Sequence, residues 1–128
     1  MPTKEDHYQA GLKLYGEQKH AEAIAEYKLG LELDPEWTDG LHALSMAQMH
    51  AGLLDDAIVT GKRIVELDKG DPFAHTSLSM FYMRKGLIDE AEAEGAKARM
   101  LSWKEELKTN PGAAPPGPAG SLPIQDQD

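Results

Sequence analysis

Residues 21–35, Ala-Glu-Ala-Ile-Ala-Glu-Tyr-Lys-Leu-Gly-Leu-Glu-Leu-Asp-Pro, return twice in weaker form at a fixed interval. Ala23 recurs as Ala57 and Ala91, Leu33 as Leu67 and Leu101, and Gly11 as Ser45 and Ser79, each step being 34 residues. Three separate columns keep one period, and a period of roughly 20 to 50 residues marks stacked supersecondary units rather than a single central core. The chain reads as an array.

Each repeat divides around a short break: Glu17-Gln18-Lys19-His20, Gly52-Leu53-Leu54-Asp55 and Gly86-Leu87-Ile88-Asp89. Glycine ends a helix at little cost because it accepts the left-handed backbone just past the last turn. The Asp that follows is expected to cap the next helix by accepting its orphan N–H groups. Between repeats, Asp34-Pro35 and Asp71-Pro72 predict a cap followed by a proline at the first helical position, where no N–H is required. The grammar is helix, tight turn, helix, with helices expected over about residues 4–17 and 36–51. The last helix is expected to begin near Asp89 and to run past its repeat until Asn110-Pro111 stops it.

This pattern resembles the tetratricopeptide repeat over roughly residues 4–105. Gly11, Leu14, Ala23, Tyr27, Leu33, Asp34 and Pro35 fall on that family's positions in the first repeat. Leu41, Leu44, Ser45, Gly52, Ala57, Leu67 and Asp68 do so in the second, and Leu78, Tyr82, Gly86, Ala91, Ala98 and Leu101 in the third. The resemblance implies an all-α fold: an α-solenoid of three antiparallel helix pairs, wound as a right-handed superhelix and followed by an extended tail. The expected organisation is a domain over residues 1–108, with repeats at about 4–37, 38–71 and 72–108, and a Pro/Gly-rich tail over 109–128. Three positions depart from the pattern, since Gly61 and Gly95 stand where the family has an aromatic and Ile64 where it has a small residue. Ile64 is read as filling space left at Gly61, and Gly95 as letting a backbone or bulky side chain approach.

The formal net charge of −9 disfavours a phosphate backbone as ligand, so nucleic acid is not an expected partner. With no cysteine there is no disulfide, thiolate nucleophile or cysteine-based zinc site. No apolar run reaches the length of a signal peptide or a membrane span, and a soluble cytoplasmic protein without membrane insertion is expected. Catalysis needs a nucleophile, an acid–base pair or a metal in constrained geometry. Glu22, Glu26, Glu90 and Glu94 read instead as a solvated charged face, and no phosphate loop, nucleophile elbow or His-Glu-x-x-His is present. The chain is not expected to be an enzyme.

What remains is recognition. By the family resemblance, the first helix of each pair would line a concave groove that holds a segment of another protein. The groove residues are Tyr8, Leu12 and Tyr15, then His42, Met46, Met49 and His50, then Phe73, Met80, Met83 and Arg84. Methionine and aromatic side chains repack around varied apolar partners, so Met46, Met49 and Met80 are expected to be exposed. Positions matching the basic and asparagine clamp of the chaperone-binding members are Tyr8, Leu12, Ala43, Phe73 and Ser77, none of which would pair a carboxylate. The expected function is a non-catalytic adaptor, scaffold or assembly subunit, with no cofactor and no metal. One alternative is a soft-metal carrier, because His42, Met46, Met49 and His50 share a helix face and thioether with imidazole suits Cu(I). Another is a self-associating subunit that forms a homo-oligomer.

The end of the array has its own signal. Met100, Trp103 and Leu107 continue the apolar pattern beyond Leu101, although an array needs a polar terminal face. Something is expected to cover them: Leu122 and Ile124 of the tail, a second molecule or a partner protein. From Asn110 onward five prolines and three glycines exclude a regular helix or central strand, which leaves an extended or disordered tail.

Overall fold

A computed structural model describes residues 1–117 of the 128. Among the described residues the only regular elements are six helices: α1 (Lys4–Gly16), α2 (His20–Leu33), α3 (Thr38–His50), α4 (Leu54–Leu67), α5 (Pro72–Arg84) and α6 (Ile88–Leu107). The first helices of the three pairs start at residues 4, 38 and 72 and the second at 20, 54 and 88, so every start keeps the 34-residue step. Only α6 breaks step, running 20 residues where α2 and α4 run 14. It ends at Leu107, three residues before Asn110.

Three-residue turns join each pair, and their backbone is the same in all three repeats. Gln18, Gly52 and Gly86 occupy the left-handed region with φ of 65°, 82° and 81°. The next N–H reaches back five residues: Lys19 to the Leu14 carbonyl at 2.9 Å, Leu53 to Gln48 at 2.8 Å and Leu87 to Tyr82 at 2.9 Å. This bond satisfies a carbonyl that the helix end would otherwise orphan. The aspartates past the glycines do not cap. The caps are Leu53 and Leu87, with no side-chain cap bond, and Asp55 and Asp89 stand within the first helical turn, where the positive end of the helix dipole favours a carboxylate.

The two Asp-Pro pairs also differ. Asp71 caps α5 as expected, accepting from the Phe73 N–H at 2.9 Å, with Pro72 in the first helical turn. Asp34 instead closes α2, and α3 begins at Thr38 with Trp37 as its cap. The Asp34 carboxylate is engaged elsewhere, 2.6 Å from the Lys4 ammonium, which also lies 4.9 Å above the Trp37 ring. Hydrogen bonding to Lys4, aided by its charge, holds the Asp34 carboxyl below the usual aspartate range despite partial desolvation. The same bond raises the Lys4 pKa.

The chain forms two compact units, Met1–Lys69 and Gly70–Asp128. In the first, α2 packs against both α1 and α3, and α3 packs on α4. Ala23, Ile24, Tyr27, Leu44 and Ala47 make its core, with Tyr8, Leu14, Tyr15, Leu31 and Ala43 packed around them. Gly11 is the contact that lets α1 and α2 approach. A Cβ there would stand 2.3 Å from Cε1 of Tyr27, whose ring is 2% exposed. Burial, with Tyr8 and Tyr15 adding to it, pushes the Tyr27 hydroxyl up to about 12. In the second unit α5 packs against α6 and buries Ala74, Leu78, Phe81, Ala91 and Ala98. There the size relation of the first repeat is reversed: Ser79 replaces Gly11, Gly95 replaces Tyr27, and the Ser79 hydroxyl donates to the Ala91 carbonyl of the facing helix at 2.7 Å. Ile64 is fully buried, and Gly61 is buried beside it in sequence on the same helix.

Candidate functional site

Helix α1 carries Tyr8, Leu12 and Tyr15 at spacings of four and three residues, hence along one stripe. They do not behave alike. Tyr8 lies between two aromatic rings, 5.9 Å from Tyr27 and 5.2 Å from Trp37, and so belongs to the packing of the pair. Tyr15 meets His20 at 5.4 Å and His50 at 5.5 Å, both edge-on, and the two imidazoles stack at 5.5 Å. Leu12 is exposed, at 40%. On α3, His42 and Met46 are half-buried and His50 is exposed, whereas Met49 is only 3% exposed. Met49 therefore departs from the exposed position expected of it, because it falls on the stripe of α3 that also buries Leu41, Ser45 and Gln48.

The His/Met pattern on α3 is thus divided between a buried thioether and an imidazole held in a ring stack. Among the described residues no group of three or more His, Asp or Glu side chains could hold a metal ion. The second unit is the more open one. Phe73 is 73% and Met83 50% exposed, Arg84 is exposed and Met80 half-buried. Met80, Met83 and Arg84 line a hollow of about 490 Å³ with Thr76, Ser79, Gly95, Ala98 and Arg99. The Arg99 guanidinium and the Ser79 hydroxyl lie 3.4 and 3.5 Å from where a Cβ of Gly95 would be, so the space over this glycine admits a long side chain.

Beyond the repeat, Met100 is 40% exposed while Trp103 and Leu107 are half-buried. The indole N–H of Trp103 donates to the Ala113 carbonyl at 3.0 Å, which ties the start of the tail to α6. Leu122 and Ile124 lie outside the described residues.

Two interhelical pairs were not anticipated. His7 Nδ1 lies 2.9 Å from Glu26 Oε1 in the first repeat, and His75 Nδ1 lies 2.7 Å from Glu94 Oε1 in the third. Glu26 and Glu94 are therefore corrected from solvated carboxylates to partners of the facing helix, with side chains 30% and 14% exposed. Glu22 and Glu90 are exposed as expected. The signal was present in the sequence, since histidine and glutamate stand 19 residues apart in both repeats and the pairs are two periods apart. The second repeat has Leu41 and Thr60 at these positions and buries a different bond, in which the Thr60 hydroxyl donates to the Gln48 side-chain Oε1 at 2.8 Å.

No helix among the described residues is long and apolar enough to cross a membrane. No protein-family model matches the chain, and no curated protein does. Solved structures do. The structure of MamA matches with a TM-score of 0.77 at 24% identity, over 81% of this chain and 61% of that one. The Yersinia enterocolitica type III secretion translocator chaperone SycD matches with a TM-score of 0.75 at 22% identity, over 83% and 80%. YrrB, described as a TPR protein with an unusual peptide-binding site, matches with a TM-score of 0.76 at 21% identity, over 87% and 57%. The chain thus spans less than two thirds of the MamA and YrrB chains. Six helices in three pairs at a 34-residue step, superposable on these structures, give this protein the all-α fold of the tetratricopeptide type.

Proposed function

We propose that the protein is a non-catalytic interaction module, an adaptor, scaffold or assembly subunit that holds a segment of another protein against the first helices of its pairs. The observation that carries this reading is the apolar exposure on those helices: Leu12 on α1, and Phe73 and Met83 on α5. Phe73 is left 73% exposed on the same helix as the half-exposed Met83, and exposed apolar side chains of this size mark binding surfaces. The reading is supported by what similar structures are described as doing, since YrrB carries a peptide-binding site and SycD is a chaperone. The polar clusters support it too: each His–Glu pair ties one helix to its partner rather than facing a cavity with a nucleophile.

The test compares the intact protein with the double variant Phe73→Gln, Met83→Gln as bait in its native extract. Both positions are exposed, so circular dichroism and melting should be unchanged while the captured partner is lost. Capture of the same partner in the same amount by the variant would place the binding surface elsewhere.

A further inference from the structure

The chain has three arginines, and they stand in two kinds of surroundings. Arg63 lies among carboxylates, 3.3 Å from Glu66 and 3.9 Å from Glu36. Arg84 and Arg99 make no ion pair among the described residues, although the chain carries 22 acidic residues against 13 basic ones. Both line the hollow of about 490 Å³, Arg84 from α5 and Arg99 from α6, and no carboxylate lines it with them.

Arg99 is turned toward this space. Its guanidinium lies 3.4 Å from where a Cβ of Gly95 would be, along the surface of α6. Two periods earlier the positions of Gly95 and Arg99 are held by Tyr27 and Leu31, which pack together in the apolar core of the first unit. A position that serves apolar packing in the first repeat thus carries a cation in the third, on a hollow that it shares with Met80 and Met83. Glu106 lines the adjoining hollow with Arg99 but makes no ion pair with it.

We infer, building on the partner surface proposed above, that the segment seated on α5 is acidic as well as apolar: an apolar side chain enters the hollow against Met80 and Met83, and a carboxylate beside it in the partner pairs with Arg84 and Arg99. Covering the hollow with a wholly apolar segment would strip water from two guanidiniums and give them no partner in return. A basic segment would add like charge. A carboxylate replaces the lost water, and the planar guanidinium can grip it through two parallel N–H bonds. The net charge of −9 does not forbid this, since exposed charges more than about 8 to 10 Å away are largely screened at physiological salt.

A random peptide library displayed on phage, selected against the intact protein, tests the charge preference directly. The recovered peptides are expected to be enriched in Asp and Glu beside Leu, Ile, Phe or Met, and they are then synthesised and titrated by fluorescence anisotropy. The double variant Arg84→Gln, Arg99→Gln should bind them about 5- to 30-fold more weakly, the loss of two exposed ion pairs, with the gap narrowing in high salt. Arg84→Lys, Arg99→Lys should recover part of the affinity. Both arginines are exposed, so circular dichroism and melting of these variants should match the intact protein. Peptides without acidic enrichment, affinities for the Gln variant equal to the intact protein's within about twofold, or no recovered binder overturn the inference. The variant Phe73→Gln, Met83→Gln separates it from the reading on which it builds. Peptides that lose affinity for this variant but not for the arginine variant leave the partner surface standing and remove its charge selectivity, whereas peptides that bind it as tightly as the intact protein overturn both.

Discussion

The tight approach of α1 and α2 at Gly11 makes a sharp prediction from a single methyl group. In Gly11→Ala the added carbon would stand 2.3, 2.6 and 2.9 Å from Cε1, Cδ1 and Cζ of Tyr27. Unstrained carbon contacts lie at about 3.5 to 4.0 Å, so the ring must retreat by more than about 1 Å. It has little room, being 2% exposed and flanked by the Tyr8 ring. Overpacking of this kind costs about 1 to 3 kcal/mol, and alanine returns about 1 kcal/mol of helix propensity, leaving a net loss of up to about 2 kcal/mol. Gly16, in the same helix, would place its Cβ with nothing within 4 Å. Gly16→Ala should therefore stabilise, by about 0.5 to 1 kcal/mol in a terminal turn. Urea unfolding followed by circular dichroism should move the two midpoints in opposite directions at unchanged slope, the first by up to roughly 1 M. A double-mutant cycle with Tyr27→Ala isolates the contact. Once the ring is gone, Gly11→Ala should become neutral or favourable, giving a coupling of about 2 kcal/mol. A Gly11→Ala cost that is the same in both backgrounds, or a Gly11→Ala protein more stable than wild type, would refute the wedge.

Three further outcomes follow from the same geometry. Gln18 holds φ at 65° where the other repeats have glycine, so Gln18→Gly should raise stability by about 0.5 to 1 kcal/mol, the relief of strain outweighing glycine's unfolded-state entropy, while Gln18→Ala should not. Ala57 is fully buried in α4, and Ala57→Phe should lower stability by about 1 to 3 kcal/mol in thermal or urea unfolding; an unchanged melting temperature would contradict its packing. For the Lys4–Asp34 pair the aspartate pKa is depressed and the lysine pKa raised. Its stabilisation should be constant between about pH 4 and pH 10 and fade outside that window, as acid protonates Asp34 and alkali neutralises Lys4. The gap between wild type and Asp34→Asn should therefore close below about pH 4, and a gap independent of pH would mean that charge is not its source.

Periodicity made the fold readable because helix boundaries are local events. The columns at residues 23, 33 and 11 and the glycines at 52 and 86 are short-range signals, and the helix starts follow their step. The errors arose where a side chain answered to something distant in sequence. Asp34 looks like a cap beside Pro35, yet Lys4, thirty residues earlier, takes its carboxylate. Glu94 has the spacing of a surface residue, but His75 turns it inward from another helix. Met49 shares a groove position with the family pattern, whereas its exposure depends on which stripe of α3 is covered. The hollow by Met80 and Met83 is lined by side chains of both α5 and α6, Gly95 among them, so it could not be read from one helix alone.

Repeated helix pairs invite mispairing during folding, because a first helix can meet the second helix of another pair. The His–Glu pairs discourage this only in part. Opposite α4, His7 would face Thr60, but opposite α6 it would find Glu94 and be satisfied. The wedge at Gly11 makes the distinction that charge does not. Crossed partners would set Gly11 over Gly95, leaving a void the size of a phenol ring, and would press Ser79 into Tyr27, where even a bare Cβ at the corresponding position of α1 comes within 2.3 Å. A difference of one aromatic ring between otherwise matched repeats thus serves as an address, telling each helix which neighbour is its own.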